Sequence, residues 1–195
     1  MAMALLARGT FYGRLNEWAS SADDLQRACQ AADENTAIGK VALHAALINL
    51  CFAVANGGIN LDAQSNILKF IATLRSRLGQ KRFSRTKAKL YWMEGLLHQN
   101  LGFTRQAERV LERARQGFTK LGDPYDFVLV TLDLAQVLLL DGESEKYEQL
   151  QRDTIAALEK ITPPEDLRDA LTEWRRLPHT ENVLTKIKGR VRNLV

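Results

Sequence analysis

Between Ala63 and Met93 the sequence holds eight basic residues, Lys69, Arg75, Arg77, Lys81, Arg82, Arg85, Lys87 and Lys89, and no Asp or Glu. A run of one sign can draw in an acidic peptide, an acidic face of a partner protein or the phosphates of a nucleic acid. The whole chain nets +4, so the sequence outside this window nets −4 and the charge is polarised, not merely high. A second basic group, Arg175, Arg176, Lys186, Lys188, Arg190 and Arg192, lies near the C-terminus, and whether the two share a surface is left open by the sequence. The competing account is a solvated loop, since helix C-termini favour Lys and Arg in any case.

Catalytic chemistry has few candidates. HExxH, P-loop, GxSxG and GxGxxG patterns are absent, and the three histidines, His44, His98 and His179, are far apart. Cys29 and Cys51 form no CxxC pair and have no neighbouring histidine, which removes zinc, iron-sulfur and thioredoxin-like chemistry. The expectation is no enzyme, no metal and no cofactor, with Cys51 buried and inert. Cys29 and Cys51 could approach each other in a helical hairpin, but nothing requires it. His98 is expected to pack inside a hairpin. The acidic pairs Asp23-Asp24 and Glu165-Asp166 are expected at or near helix starts, where carboxylates meet the positive end of the helix dipole.

The elements that must carry these residues are helical. A chain of 195 residues with 46% hydrophobic content can bury a real core, and three of its four prolines lie beyond residue 160. The longest apolar run, Val41 to Ala55, contains His44 and Asn49 and falls short of the ~20 residues of a membrane span. The short apolar run Ala2 to Ala7 before Arg8 lacks the features of a secretory leader. A cytoplasmic protein without membrane contact is expected.

Turn signals recur at Leu15-Asn16, Gly57-Gly58, Leu101-Gly102 and Asp141-Gly142, with spacings of roughly 42, 44 and 40 residues, as in stacked supersecondary units. Each turn splits two helices, predicted at 3–15 and 17–31, 34–56 and 62–78, 84–100 and 104–121, and 125–140 and 143–160. Seven residues before each turn stand Gly9, Cys51, Gly95 and Ala135, and five after it Ser21, Ala63, Ala107 and Tyr147. Small side chains on both helices beside a turn let the axes of an antiparallel pair approach to about 8–10 Å.

Gly95, Leu101-Gly102, Phe103, Ala107, Leu111 and Ala114 resemble the tetratricopeptide repeat, with Tyr91 near the usual Trp position and His98 where an aromatic residue is common. The second helix runs longer than the family norm, to Gly122-Asp123-Pro124. The next unit, Leu134-Ala135, Asp141-Gly142 and Tyr147, is less close because Tyr147 replaces the expected Ala. The resemblance covers residues 3 to 160 and is most specific from 88 to 142, a stretch similar to the longer-repeat arrays of bacterial transcription and anti-sigma regulators. It implies an all-α, α-α superhelix of about four hairpins, either free-standing or a piece of a longer regulator.

Two regions follow: a repeat array over 1–160 and C-terminal capping helices over 161–195. Thr162-Pro-Pro-Glu165 combines an N-cap, a proline at the first helical position and a capping-box glutamate. Leu177-Pro178 should end that helix, and Thr180 should cap a last one carrying Val183, Leu184, Ile187, Val191 and Leu194. These helices are expected to cover the exposed end of the array.

The resemblance places Lys89, Trp92, Leu96, Gln99 and Asn100 on the concave side of the third repeat, and Leu129, Leu132, Gln136, Leu139 and Leu140 on that of the fourth. The first set suits peptide recognition, with Trp92 for contact area and the amides for backbone hydrogen bonds. The implied function is protein binding through this groove in bacterial regulation, with a partner of acidic character suiting the basic cluster. Nucleic-acid binding through residues 69–89 and oligomerisation through open array ends are the alternatives.

Overall fold

The computed structural model describes residues 1–33, 35–55, 67–69, 71–73, 75–76, 84–160, 163–177 and 180–193. Among these the chain is all-α, without a strand. The helices are α1 (Ala2–Arg14), α2 (Trp18–Ala31), α3 (Ala37–Ala55), α4 (Arg85–Asn100), α5 (Thr104–Leu121), α6 (Pro124–Leu140), α7 (Ser144–Glu159), α8 (Glu165–Arg176) and α9 (Glu181–Arg192). Short helical runs at 67–69, 71–73 and 75–76 lie between α3 and α4. The expected turn at Gly57-Gly58 and the small residue Ala63 fall outside the described residues.

Three of the four expected turns are formed by a residue with positive φ: Asn16 (61°), Gly102 (76°) and Gly142 (73°). L-residues with a bulky side chain avoid this conformation, which is why Gly and Asn stand there. Gly122 (φ 65°) closes α5, the Asp123 carboxylate accepts from the Asp126 backbone N–H at 3.2 Å, and Pro124 opens α6. That tripeptide therefore ends one helix, caps the next and supplies the residue whose missing N–H is not needed.

The hairpins α1–α2, α4–α5 and α6–α7 pack internally, and each lies against its neighbour in sequence. First helices also meet first helices: α1 touches α3, α3 touches α4, and α4 touches α6. This is the arrangement of stacked hairpins, and one apolar core runs through it from Leu6 to Val191.

The small residues have a sharper role than simple mutual approach. A Cβ placed on Gly9 would lie 2.8 Å from Leu25 Cγ, and one on Gly95 would lie 2.6 Å from Leu111 Cδ2. Each glycine is thus a notch that receives a leucine one turn beyond the predicted partner. At Gly95 the nearest atoms belong to Leu111, and Ala107 is itself fully buried. In the first hairpin Ser21 does meet Gly9, its hydroxyl donating to the Gly9 carbonyl at 2.8 Å. Ala135 is fully buried, and the side chain of Cys51 lies outside the described residues. Tyr147, the departure from the small-residue pattern, is buried and accepts a 2.8 Å hydrogen bond from the Trp174 indole of α8. Its size is used to bind the C-terminal helices to the last hairpin.

Two local expectations are corrected. Asp23 and Asp24 lie in the middle of α2, not at its start, and buried Asp24 binds the Arg8 guanidinium through contacts of 2.5 and 2.6 Å, tying α1 to α2. The helix after residue 160 begins at Glu165 with Pro164 at its N-cap, so Glu165 is not a third-position capping-box residue, and Thr162 lies outside the described residues. The other signals hold: Leu177 ends α8, Thr180 caps α9 by accepting from Val183 N–H at 3.4 Å, and Glu165 and Asp166 occupy the first turn of α8. Packing also places α9 on α6, not simply beyond α7.

Candidate functional site

A cavity of about 280 Å³ opens between α3, α4, α6 and the end of α9, lined by Ile48, Arg85, Lys89, Trp92, Leu96, Asp123, Tyr125, Asp126, Leu129 and Arg192. One stripe of α4 supplies four of these residues, Arg85, Lys89, Trp92 and Leu96, at intervals of three or four. Ser84 starts that helix, its hydroxyl accepting from the Lys87 backbone N–H at 3.3 Å. From α6 come Tyr125, Asp126 and Leu129, and the cap residue Asp123 stands beside them. Ile48, Trp92, Leu96 and Leu129 form an apolar floor.

The rim is built from ion pairs. Arg85 meets Asp123 at 2.6 Å with the guanidinium half-exposed, and Lys89 meets Asp126 at 3.0 Å with both side chains buried. Burial pushes the Asp126 carboxyl above its ordinary value, and the Lys89 ammonium opposes that shift. The Tyr125 phenol is also held above its usual value, by burial and then by the nearby Asp166 carboxylate. Arg192 brings a third cation from α9, so the two basic groups of the sequence meet at this cavity.

Behind the floor, Asp133 is fully buried and accepts from the Trp92 indole N–H at 2.6 Å and from the Lys188 ammonium of α9. The Gln136 carbonyl also accepts from Lys188, at 3.3 Å, and its amide donates to Glu181 at 2.7 Å. Trp92 stands edge-on to Phe118. These contacts hold the indole in one orientation, so it serves as a fixed wall.

Of the residues expected in the groove, three line this cavity. Lys89, Trp92 and Leu96 line the cavity, Gln136 is engaged by α9, and Gln99 and Asn100 lie outside the cavity lining. Arg192 comes from the second basic group, whereas Ile48, Asp123, Tyr125 and Asp126 carry no binding expectation from the sequence. One signal could have found Asp126: it and Asp133 are the only charged residues in the otherwise apolar α6, seven apart and so on one face.

Three described cations of the basic cluster face carboxylates of their own chain. Arg75 pairs with Glu94 and lies 5.6 Å from the Tyr91 ring centroid, Arg85 pairs with Asp123, and Lys89 with Asp126. Lys69 is exposed and Lys87 half-buried, while Arg77, Lys81 and Arg82 lie outside the described residues. In the C-terminal group Lys186 and Arg190 pair with Glu173, and Lys188 with Asp133.

Among the described residues no group of His, Cys, Asp and Glu is placed to hold a metal, and no helix is long and apolar enough to cross a membrane. Cys29 is buried. His98 packs against Phe103 at 6.2 Å, its Nδ1 buried without a hydrogen-bond partner and its pKa lowered by that burial. No protein-family model matches the chain, and no curated protein matches it.

Proposed function

We propose that this chain is a non-enzymatic scaffold of tetratricopeptide type that binds a segment of another protein, using the cavity between α3, α4, α6 and α9 as the anchor point. The observation that carries the reading is the cavity itself: a fixed indole and aliphatic floor of Trp92, Leu96, Leu129 and Ile48 beneath a rim of ion pairs. An apolar floor gives contact energy, and a few placed polar groups give orientation. A role in bacterial regulation rests on the resemblance of residues 88–142 alone.

The test is selection from a displayed random-peptide library, followed by affinity measurements on the wild type and on Tyr125→Ala and Arg192→Glu variants of unchanged helicity. Selected peptides should carry a large apolar residue and weaken by at least about tenfold on both variants, the loss of about 1.4 kcal/mol. Peptides that bind both variants as well as the wild type would remove this cavity as the anchor.

A second reading has its own support. Phe11 (57% exposed), Ile38 (71%) and Val41 (64%) leave apolar surface on the first hairpin and α3, which suits stacking of one array on another. Sedimentation at two protein concentrations separates this from a monomeric binding module. The nucleic-acid reading has less support, because the described cations Arg75, Arg85 and Lys89 already face carboxylates of their own chain.

A further inference from the structure

A second cleft, of about 400 Å³, lies between the last turn of α7 and one face of α8, away from the cavity described above. Its floor is Ile155, Leu158, Pro163 and Leu171; its charged groups are Arg168, Arg175, Arg176 and Glu159. The α8 residues 168, 171, 172, 175 and 176 follow the spacing of a single helical face, so three guanidiniums and the Thr172 side chain border one apolar trough. The opposite side of α8 buries Leu167, Ala170 and Trp174 in the core, which fixes this face outward.

Charge in the cleft is unbalanced in a way the neighbouring surface is not. Lys186 and Arg190 on α9 pair with Glu173, Arg190 also faces Asp169 at 3.9 Å, and Arg152 on α7 pairs with Glu148. Among the described residues no carboxylate lies within 4.0 Å of the charged nitrogens of Arg168, Arg175 or Arg176. Arg168 donates to the Pro163 carbonyl at 3.2 Å, which holds its guanidinium at the rim. Three cations against the single carboxylate of Glu159 leave a surplus of two positive charges.

We infer that this cleft is a binding site for a phosphate monoester carried on an apolar stem. The dianion matches the surplus charge, and planar guanidiniums grip phosphate oxygens through paired hydrogen bonds. Ile155, Leu158 and Leu171 would take the stem. The site is independent of the cavity proposed above for a protein segment, and either can fail without the other.

Isothermal titration with phenyl phosphate, inorganic phosphate and benzyl alcohol tests it on the full chain. Phenyl phosphate should bind saturably and more tightly than either half alone. Arg175→Gln and Arg176→Gln should each weaken it by about tenfold or more, as expected for charge-assisted hydrogen bonds, while Arg152→Gln should leave it unchanged. A phosphotyrosine heptapeptide measured alongside identifies the source: tighter binding than phenyl phosphate points to a phosphorylated protein, weaker binding to a small phosphate ester. The inference is overturned if phenyl phosphate binds no more tightly than inorganic phosphate, or if Arg175→Gln and Arg176→Gln bind it like the wild type. These substitutions are at exposed positions, and circular dichroism melts that match the wild type would establish that the fold is kept.

Discussion

The indole N–H of Trp92 and the carboxylate of Asp133 lie 2.6 Å apart, joining α4 to α6 through a fully buried acceptor. Lys188 of α9 reaches the same carboxylate, so one buried charge unites the third hairpin, the fourth and the C-terminal helix. Removing one member of such a pair leaves the other uncompensated in a low-dielectric interior. Lys188→Met should therefore cost about 3–5 kcal/mol in urea unfolding. Asp133→Leu combined with Lys188→Met should cost less than the sum of the two single changes; additive losses would show that the two groups act separately.

Gly95 and Gly102 separate two roles of glycine. At Gly95 an added Cβ would stand 2.6 Å from Leu111, whereas at Gly102 it meets nothing within 4 Å but the backbone has φ 76°. Gly95→Ala should cost about 1–3 kcal/mol by overpacking, and should cost less when introduced into a Leu111→Ala background. Gly102→Ala should cost about 1–2 kcal/mol through the left-handed backbone alone, with no rescue by Leu111→Ala. Thermal melts of the three single variants and the two doubles check the contrast.

Tyr147 and Trp174 form the bond between the last hairpin and α8. Tyr147→Phe keeps the ring and its edge-on contact but leaves the indole N–H without this acceptor, for an expected loss of about 1–3 kcal/mol. Tyr147→Ala, which restores the small residue of the repeat pattern, should cost more, about 3–5 kcal/mol as for other buried aromatic truncations. A Tyr147→Ala protein as stable as the wild type would mean that the C-terminal helices need no such bond.

His98 and Asp24 each make stability fall as pH drops, while Asp126, its carboxyl raised by burial, works in the opposite sense in the acid range. His98 has its folded pKa lowered by burial, so the unfolded chain binds the proton more readily, and stability should fall as pH drops below about 6.5. In Asp24 the carboxyl is held below its usual value by the hydrogen bond from Arg8, so its contribution is present above about pH 4 and is lost as pH falls further. Urea midpoints from pH 8 to 3 should show both declines. His98→Phe should flatten the upper one and Arg8→Met the lower.

Much of the architecture was legible from residue types alone. Helix periodicity, the glycines and asparagine of the turns, and the cap at Thr180 depend on interactions within a few residues, so seven of the eight helices predicted for the array agree with the observed ones within a few residues at each end, while both ends of the eighth, 62–78, lie outside the described residues. The small-residue positions were legible for the same reason: a hairpin is a local object. Which residue each notch receives was not, because Gly95 meets Leu111 through the axial offset of two packed helices.

The candidate sites belong to the tertiary structure. Lys89 and Trp92 could be named from the repeat pattern, but their partners Asp126 and Asp133 lie on another hairpin, and Arg192 reaches the same cavity from the last helix. The basic run from 63 to 93 was plain as a count of charges, yet its electrostatic effect depended on where the carboxylates of other helices came to rest. Composition and spacing determined that the chain would build helical hairpins, since those depend on local sterics and periodic burial. Which charges are neutralised, and which stay available to a ligand, was decided only when distant helices packed, because Coulombic pairing and desolvation depend on distances that sequence separation does not measure.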